Sequence, residues 1–155
     1  MKRLAVILPL LLAACAGSDD ISSSQPVGFV KDARQVVDQA DWSNPQVVEI
    51  DMANYEFRPD EFTVRRGKPV KLVLRNVSTK DHTFVSKPFF KGIAVKQVVS
   101  NQGAVAGPYV EKIVVEENAT KEVWFVPTRY GAYQFECDVT GHALLGMKGV
   151  VNVVE

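Results

Sequence analysis

Residues 133–149 read Y-Q-F-E-C-D-V-T-G-H-A-L-L-G-M-K-G, with Cys137, His142 and Met147 at equal spacing, C-x4-H-x4-M. A thiolate, an imidazole and a thioether together suit a soft or borderline metal such as copper. The loop also contains three glycines, which let a short chain fold back close to an ion: Gly141, Gly146 and Gly149. The stretch therefore predicts a β-strand that ends in a metal-binding loop.

A second histidine lies upstream in N-V-S-T-K-D-H-T-F, residues 76–84, and His82 and His142 are the only histidines of the chain. Two imidazoles and a thiolate in a plane, with a weak axial Met, form an electron-transfer copper centre. We therefore predict one mononuclear copper ion bound by His82, Cys137, His142 and Met147, with no catalytic residues. The alternative is a buried Cys, a hydrogen-bonded loop His and a core Met, since Cys and Met are ordinary core residues.

These segments resemble the ligand loops of the type 1 (blue copper) cupredoxins. The Cys-to-His spacing is the longer one of auracyanin-like and rusticyanin-like members rather than that of plastocyanin, and the resemblance covers roughly residues 47–155. It implies a single type 1 copper ion. Thr140 stands where many relatives have Pro, and Thr83 follows His82 where many have Asn or Ser. Both positions affect hydrogen bonds around the Cys137 sulfur and hence the reduction potential and the colour of the copper centre.

The fold class follows from short alternating segments. In V-K-L-V-L-R-N, Leu72 and Leu74 share one face and Lys71 and Arg75 the other. Eight such strands are predicted: 47–52, 61–65, 69–76, 82–86, 111–115, 121–127, 131–137 and 150–153. Strands of this length, separated by turns, are typical of an all-β, Greek-key antiparallel β-sandwich, here cupredoxin-like and spanning residues 46–155. Residues 87–108 have weak periodicity and are expected to wrap the sandwich or border the copper end.

The sandwich brings together ligands that are distant in sequence. His82 is expected at the start of one strand and Cys137 at the end of another, so a Greek-key arrangement places both at one pole.

The N-terminus has the pattern of an export signal. Lys2 and Arg3 precede a short apolar run, and residues 12–15 read L-A-A-C, which resembles a bacterial lipobox. We expect residues 1–14 to be a signal peptide and Cys15 to be lipidated; an ordinary signal peptide cut after residue 14 or 16 is the alternative. Residues 16–45 are expected to be a tether with a short amphipathic helix near residues 30–40, and Trp42 to pack at the edge of the domain.

Cysteine count and charge limit the function. The chain has two Cys, so Cys137 is alone in the domain and no disulfide can form there. The net charge of zero gives no case for nucleic-acid binding. Residues 65–96 contain nine Lys and Arg but only one acidic residue, Asp81. These basic residues form a solvated strand face or steer an acidic partner.

The favoured hypothesis is a membrane-tethered, monomeric electron carrier on the periplasmic side of a bacterial membrane, with the outer membrane favoured. Its expected partners are redox proteins, a c-type cytochrome or a copper oxidase or reductase, and no enzymatic activity is expected. Ala143, Leu144 and Leu145 are expected to form an apolar rim, which residues 104–106 and Pro108 join if they reach the same pole. This rim covers the copper or provides a docking surface for a partner. A copper-resistance or copper-delivery protein with the same ligands and a metal-free scaffold are the alternatives.

Overall fold

The computed structural model describes residues 20–22, 24–107 and 109–155, with side chains from residue 24 onward. The predicted signal peptide, Cys15 and Pro108 lie outside the described residues. The elements in chain order are β1 (Asp20–Ser22), α1 (Ala33–Gln39), β2 (Gln46–Ala53), β3 (Glu56–Arg58), β4 (Glu61–Arg65), β5 (Val70–Asn76), β6 (His82–Val85), α2 (Lys87–Lys91), β7 (Ile93–Ser100), β8 (Gly103–Val105), β9 (Tyr109–Val115), β10 (Thr120–Pro127), β11 (Gly131–Glu136) and β12 (Lys148–Val154).

The strands form two six-stranded sheets. Sheet A has the order β1-β9-β6-β11-β12-β4, and sheet B the order β3-β2-β5-β10-β7-β8. The predicted all-β sandwich is thus confirmed. Most neighbouring strands are antiparallel, but β2 pairs with β5 and β12 with β4 in parallel. The first of these pairs is parallel because the chain leaves sheet B after β3, crosses to sheet A with β4, and returns as β5.

The alternation seen in the sequence determines which side chains enter the core. Val70, Leu72 and Leu74 of β5 are buried, whereas Arg75 is exposed. On the outer face of sheet B, Lys71 pairs with Glu122 at 2.6 Å and Arg75 with Asp51 at 2.6 Å. This part of the basic run is therefore a solvated strand face with acidic neighbours.

Residues 87–108, the least regular part of the sequence, form α2 and two strands of sheet B. The strand β7 lies between β10 and β8 and is interrupted by a bulge, since Phe125 pairs with Val95 but Trp124 with Gln97. The extra residue, Lys96, shifts the inward and outward pattern by one position. This shift is the physical reason for the weak periodicity of the segment.

Part of the predicted tether is built into the fold. A helix forms at α1 and packs against β7, while β1 extends sheet A by pairing with β9. Trp42 donates from Nε1 to the carbonyl of Val37 and lies 6.2 Å from the ring of Trp124. Lys96 places its Nζ 4.5 Å from the Trp42 ring centre, a cation–π contact. Among the described residues, no helix combines the length and the apolar character of a membrane-spanning segment.

Candidate metal centre

The ligand side chains continue two inward-facing rows of sheet A. His82 opens β6 and is followed two residues later by Phe84, while Cys137 follows β11 two residues after Phe135. Because side chains alternate along a strand, each ligand shares a face with its phenylalanine. The two rings stack with centres 4.5 Å apart, and both are fully buried. Core packing therefore fixes the positions of the two strands that hold His82 and Cys137. As predicted, His82 lies at the start of one strand and Cys137 lies just after the end of another.

Three ligand atoms converge on one point. Cys137 Sγ lies 3.8 Å from His82 Nδ1 and 3.5 Å from His142 Nδ1, and the two nitrogens are 3.2 Å apart. A triangle with these edges has its centre about 2 Å from each corner. This is close to the roughly 2.0–2.3 Å that a zinc ion, for example, keeps from imidazole nitrogen and thiolate sulfur. The set is a potential metal-binding group, and all three residues are buried.

The orientation of His82 is fixed by hydrogen bonds behind it. Its Nε2 lies 2.8 Å from Ser78 Oγ, and that hydroxyl lies 2.9 Å from Asn76 Oδ1 and 3.0 Å from the Lys80 carbonyl. Those two oxygens can only accept, so the Ser78 hydroxyl donates to one of them and accepts from Nε2–H. The lone pair of His82 then resides on Nδ1, which faces the other two ligand atoms.

Asn76 connects this arrangement to the backbone. Its side-chain nitrogen lies within 3.0 Å of the carbonyls of Lys80, Val115 and Glu116, and its oxygen accepts from the Ser78 amide. It therefore joins the loop before β6 to the end of β9. Such outer partners commonly orient metal ligands.

The electrostatics keep both imidazoles in the neutral form that binds metals. Burial lowers the pKa of His82, and the neighbouring His142 lowers it further, against a smaller opposite effect of Asp81. Burial likewise lowers the pKa of His142, with a contribution from Lys80. Two nitrogen lone pairs and a sulfur facing one another repel unless a cation or proton lies between them, so this donor set fits a metal ion.

The loop between Cys137 and Met147 is closed by its own backbone. The Cys137 amide donates to the Met147 carbonyl at 3.1 Å, and the Met147 amide donates to the His142 carbonyl at 3.0 Å. Gly146 makes the return turn with a φ of +107°, a conformation that suits glycine. The Met147 side chain is fully buried at the base of this loop. Its role as the axial ligand stays a prediction.

The sulfur of Cys137 also has close polar neighbours on β6. The Thr83 amide lies 3.4 Å from Sγ, and the Thr83 hydroxyl lies 3.6 Å from it. That hydroxyl accepts from the Asp138 amide at 2.8 Å and lies 2.7 Å from Asp138 Oδ1. Since a hydroxyl has one proton and a carboxylate is the closer acceptor, the amide of Thr83 is the main donor to the sulfur.

On the outer side of the centre, Leu144 and Leu145 of the predicted apolar rim are exposed, and Tyr55 joins them. The two leucines are 91 % and 63 % exposed, and the Tyr55 ring packs edge-on against His142 with centres 5.2 Å apart. Residues 104–106, which the sequence associated with this rim, instead lie at or just beyond the edge strand β8 of sheet B. The exposed apolar surface around His142 therefore comes from its own loop and from the turn before β3.

Sequence reasoning missed the residues that support the ligands, namely Asn76, Ser78, Asp138 and Tyr55. A signal existed for the first two, since they stand six and four residues before His82 in the quoted segment. Tyr55 carried no signal, because its position beside His142 depends on how the two sheets pack.

Comparison with known proteins identifies the family. Residues 29–151 match the sequence profile of the cupredoxin-like domain. The chain belongs to this family. Together with the cluster of His82, Cys137 and His142, membership supports one copper ion at this site, and the cluster fits a type 1 centre. No sequence among the curated proteins matches this cupredoxin.

Solved structures similar to this cupredoxin share its fold at low sequence identity. Reduced auracyanin from Roseiflexus castenholzii is 19 % identical with a TM-score of 0.51, covering 73 % of this chain and 100 % of that one. A multicopper oxidase from Pseudomonas thermotolerans is 17 % identical with a TM-score of 0.60, covering 75 % and 31 %. A copper nitrite reductase from Nitrosomonas europaea is 12 % identical with a TM-score of 0.55, covering 81 % and 53 %. The cupredoxin thus spans about a third of the oxidase and all of the auracyanin.

Proposed function

We propose that this cupredoxin is a membrane-tethered type 1 copper protein that carries single electrons between redox proteins in the periplasm. The observation that carries the proposal is the triangle of three ligand atoms with edges of 3.2–3.8 Å. When bound, a copper ion supplies a one-electron couple. The protein itself supplies two neutral imidazoles, a thiolate and, by our assignment, the thioether of Met147.

Rigidity of the ligand shell is what a carrier needs. His82 is fixed by Ser78, Cys137 by the stacked phenylalanines, and His142 by the closed loop. A ligand set that does not rearrange between oxidation states lowers the reorganisation energy of each electron transfer. The four protein ligands leave no coordination position for a substrate, so we propose a carrier rather than an enzyme.

Burial favours a carrier over a copper-delivery protein. Side chains that hand a metal to a partner must be reachable, yet His82, Cys137 and Met147 are each 0 % exposed. His142, 5 % exposed, lies beside the apolar rim and is the proposed point of electron exchange. A small apolar contact there suits brief encounters with a c-type cytochrome or a copper oxidase or reductase.

The tether and the compartment are proposed on the lipobox-like L-A-A-C at residues 12–15. An acylated Cys15 would anchor the carrier on the periplasmic side of a membrane, and the outer membrane is favoured. We propose that the carrier works as a monomer.

The test is a titration of the protein with Cu(II) that is monitored by visible absorption, and the Cys137→Ser variant is titrated in parallel. We expect an intense thiolate-to-copper band that saturates at one equivalent, is bleached by ascorbate and returns on re-oxidation. The Cys137→Ser variant should lack the band. Copper binding without that band, or a band that does not return after reduction, would contradict the proposal.

A further inference from the structure

The N-terminal strand β1 sets the direction in which the chain leaves the domain. The strand β9 runs toward the copper centre, because its last residue, Val115, pairs with His82. Since β1 is antiparallel to β9, with Asp20 opposite Lys112 and Ser22 opposite Tyr109, it runs away from the centre. Its first residue, Asp20, is therefore the residue of β1 nearest the centre.

The register across sheet A gives the distances. Asp20, Lys112, Val85 and Glu136 are successive neighbours across four strands, and Cys137 is the next residue beyond this row. At about 3.3 Å per residue, His82 lies roughly 10 Å from the row on the copper side. On the same scale Gly131, at the opposite end of β11, lies about 17 Å from it in the other direction.

The chain between the predicted anchor and the domain is short. Cys15 is five residues before Asp20, and five residues span at most about 17 Å. A chain of that length extends past the level of His82 if it continues the line of β1. To bring the opposite end of the sandwich against a membrane, it would have to reverse and use its whole length.

The copper end also has a surface suited to lipid. Leu144 and Leu145 are exposed, and Tyr55, 40 % exposed, is a ring with an apolar body and a polar tip, as found at membrane interfaces. Lys80 and Lys148 are exposed near the same loop, while Asp81 and Glu117 lie together at the end of β9. Because charges of both signs are present, contact with lipid would depend mainly on the leucines.

We propose that the acylated protein lies with its copper end against the bilayer, with Leu144 and Leu145 at the lipid surface. The inference rests on the proposed lipidation of Cys15. Lipid and a redox partner then compete for the same two leucines, so a partner that diffuses along the membrane displaces them from the lipid before electrons pass through the His142 edge.

The experiment uses the full acylated protein in vesicles of phosphatidylethanolamine and phosphatidylglycerol. Zinc fills the metal site, since it accepts the same nitrogen and sulfur ligands, is diamagnetic and protects Cys137 from labelling. Nitroxide labels are attached to Leu144→Cys at the copper end and, as the matched control, to Lys68→Cys in the turn before β5 at the opposite end. Accessibility to oxygen, which dissolves in lipid, is compared with accessibility to a water-soluble nickel complex.

We expect the ratio of oxygen to nickel accessibility to be several-fold higher at position 144 than at position 68. Inserting twelve Gly and Ser residues after Gly17 should reduce this difference. A higher ratio at position 68, or equal ratios typical of water at both positions, would overturn the inference. Mass spectrometry of the same sample separates the two proposals: an unmodified Cys15 removes the anchor and with it this inference, whereas the copper band still tests electron transfer.

Discussion

The two histidines of the centre have similar roles and very different surroundings. His82 opens a strand inside the sandwich, is fully buried and is held from behind by Ser78 and Asn76. His142 lies on a loop, retains 5 % exposure and contacts Tyr55 beside two exposed leucines. The comparison shows that one imidazole is held inside the core, whereas the other borders the surface.

The largest effect is expected from removing each imidazole in turn. His82→Gly and His142→Gly should both lose the intense visible band with Cu(II). Added imidazole should restore it in His142→Gly, where the gap opens toward the rim, but not in His82→Gly, where the gap is enclosed. The measurement is absorption during an imidazole titration. Equal recovery in both variants would show that the two sides of the centre do not differ in access.

A smaller effect is expected from the hydrogen bond behind His82. Ser78→Ala removes the acceptor for Nε2–H, so we expect copper affinity to fall by about tenfold, as is usual when the outer partner of a metal ligand is lost. Competition with a copper chelator measures the change. Thr79→Ala, at the exposed neighbouring position, is the control and should bind as the parent does. An unchanged affinity in Ser78→Ala would mean that packing alone orients the ring.

The smallest effect concerns the metal-free protein and pH. Burial lowers the pKa of both histidines, so below about pH 6.5 the unfolded chain binds protons that the folded protein resists. The stability of the metal-free protein should therefore be complete above that pH and decrease as the pH falls below it. Urea unfolding at pH 7.5, 6.5 and 5.5 measures this, with His82→Gln/His142→Gln as the control that should show a flatter profile. Stability that rises on acidification would contradict the pKa directions.

Local patterns in the sequence were sufficient for much of the fold. Alternation identified β5 and β11, and the C-x4-H-x4-M spacing identified the ligand loop. The strand β7 was missed because the bulge at Lys96 breaks its alternation. The parallel pairing of β2 with β5 could not be read either, because it depends on the path of the chain between the two sheets.

The ligands of the candidate site were easier to predict from the sequence than the residues that orient them. Ligand chemistry is specified by residue type and spacing, so His82, Cys137 and His142 could be predicted as ligands, and the structure brings their ligand atoms together. The partner of the Thr83 hydroxyl, Asp138, is 55 residues away and required the folded geometry. Sequence therefore identifies which atoms can bind a metal, and the fold determines how those atoms are oriented.

The most direct test of the account is anomalous X-ray diffraction at the copper absorption edge on crystals of the copper-loaded protein. We expect one strong peak at the centre of the triangle formed by His82 Nδ1, Cys137 Sγ and His142 Nδ1, with the Met147 sulfur on one side of that plane. A peak elsewhere on the chain, or copper bound without Cys137, would contradict the assignment of an electron-transfer centre.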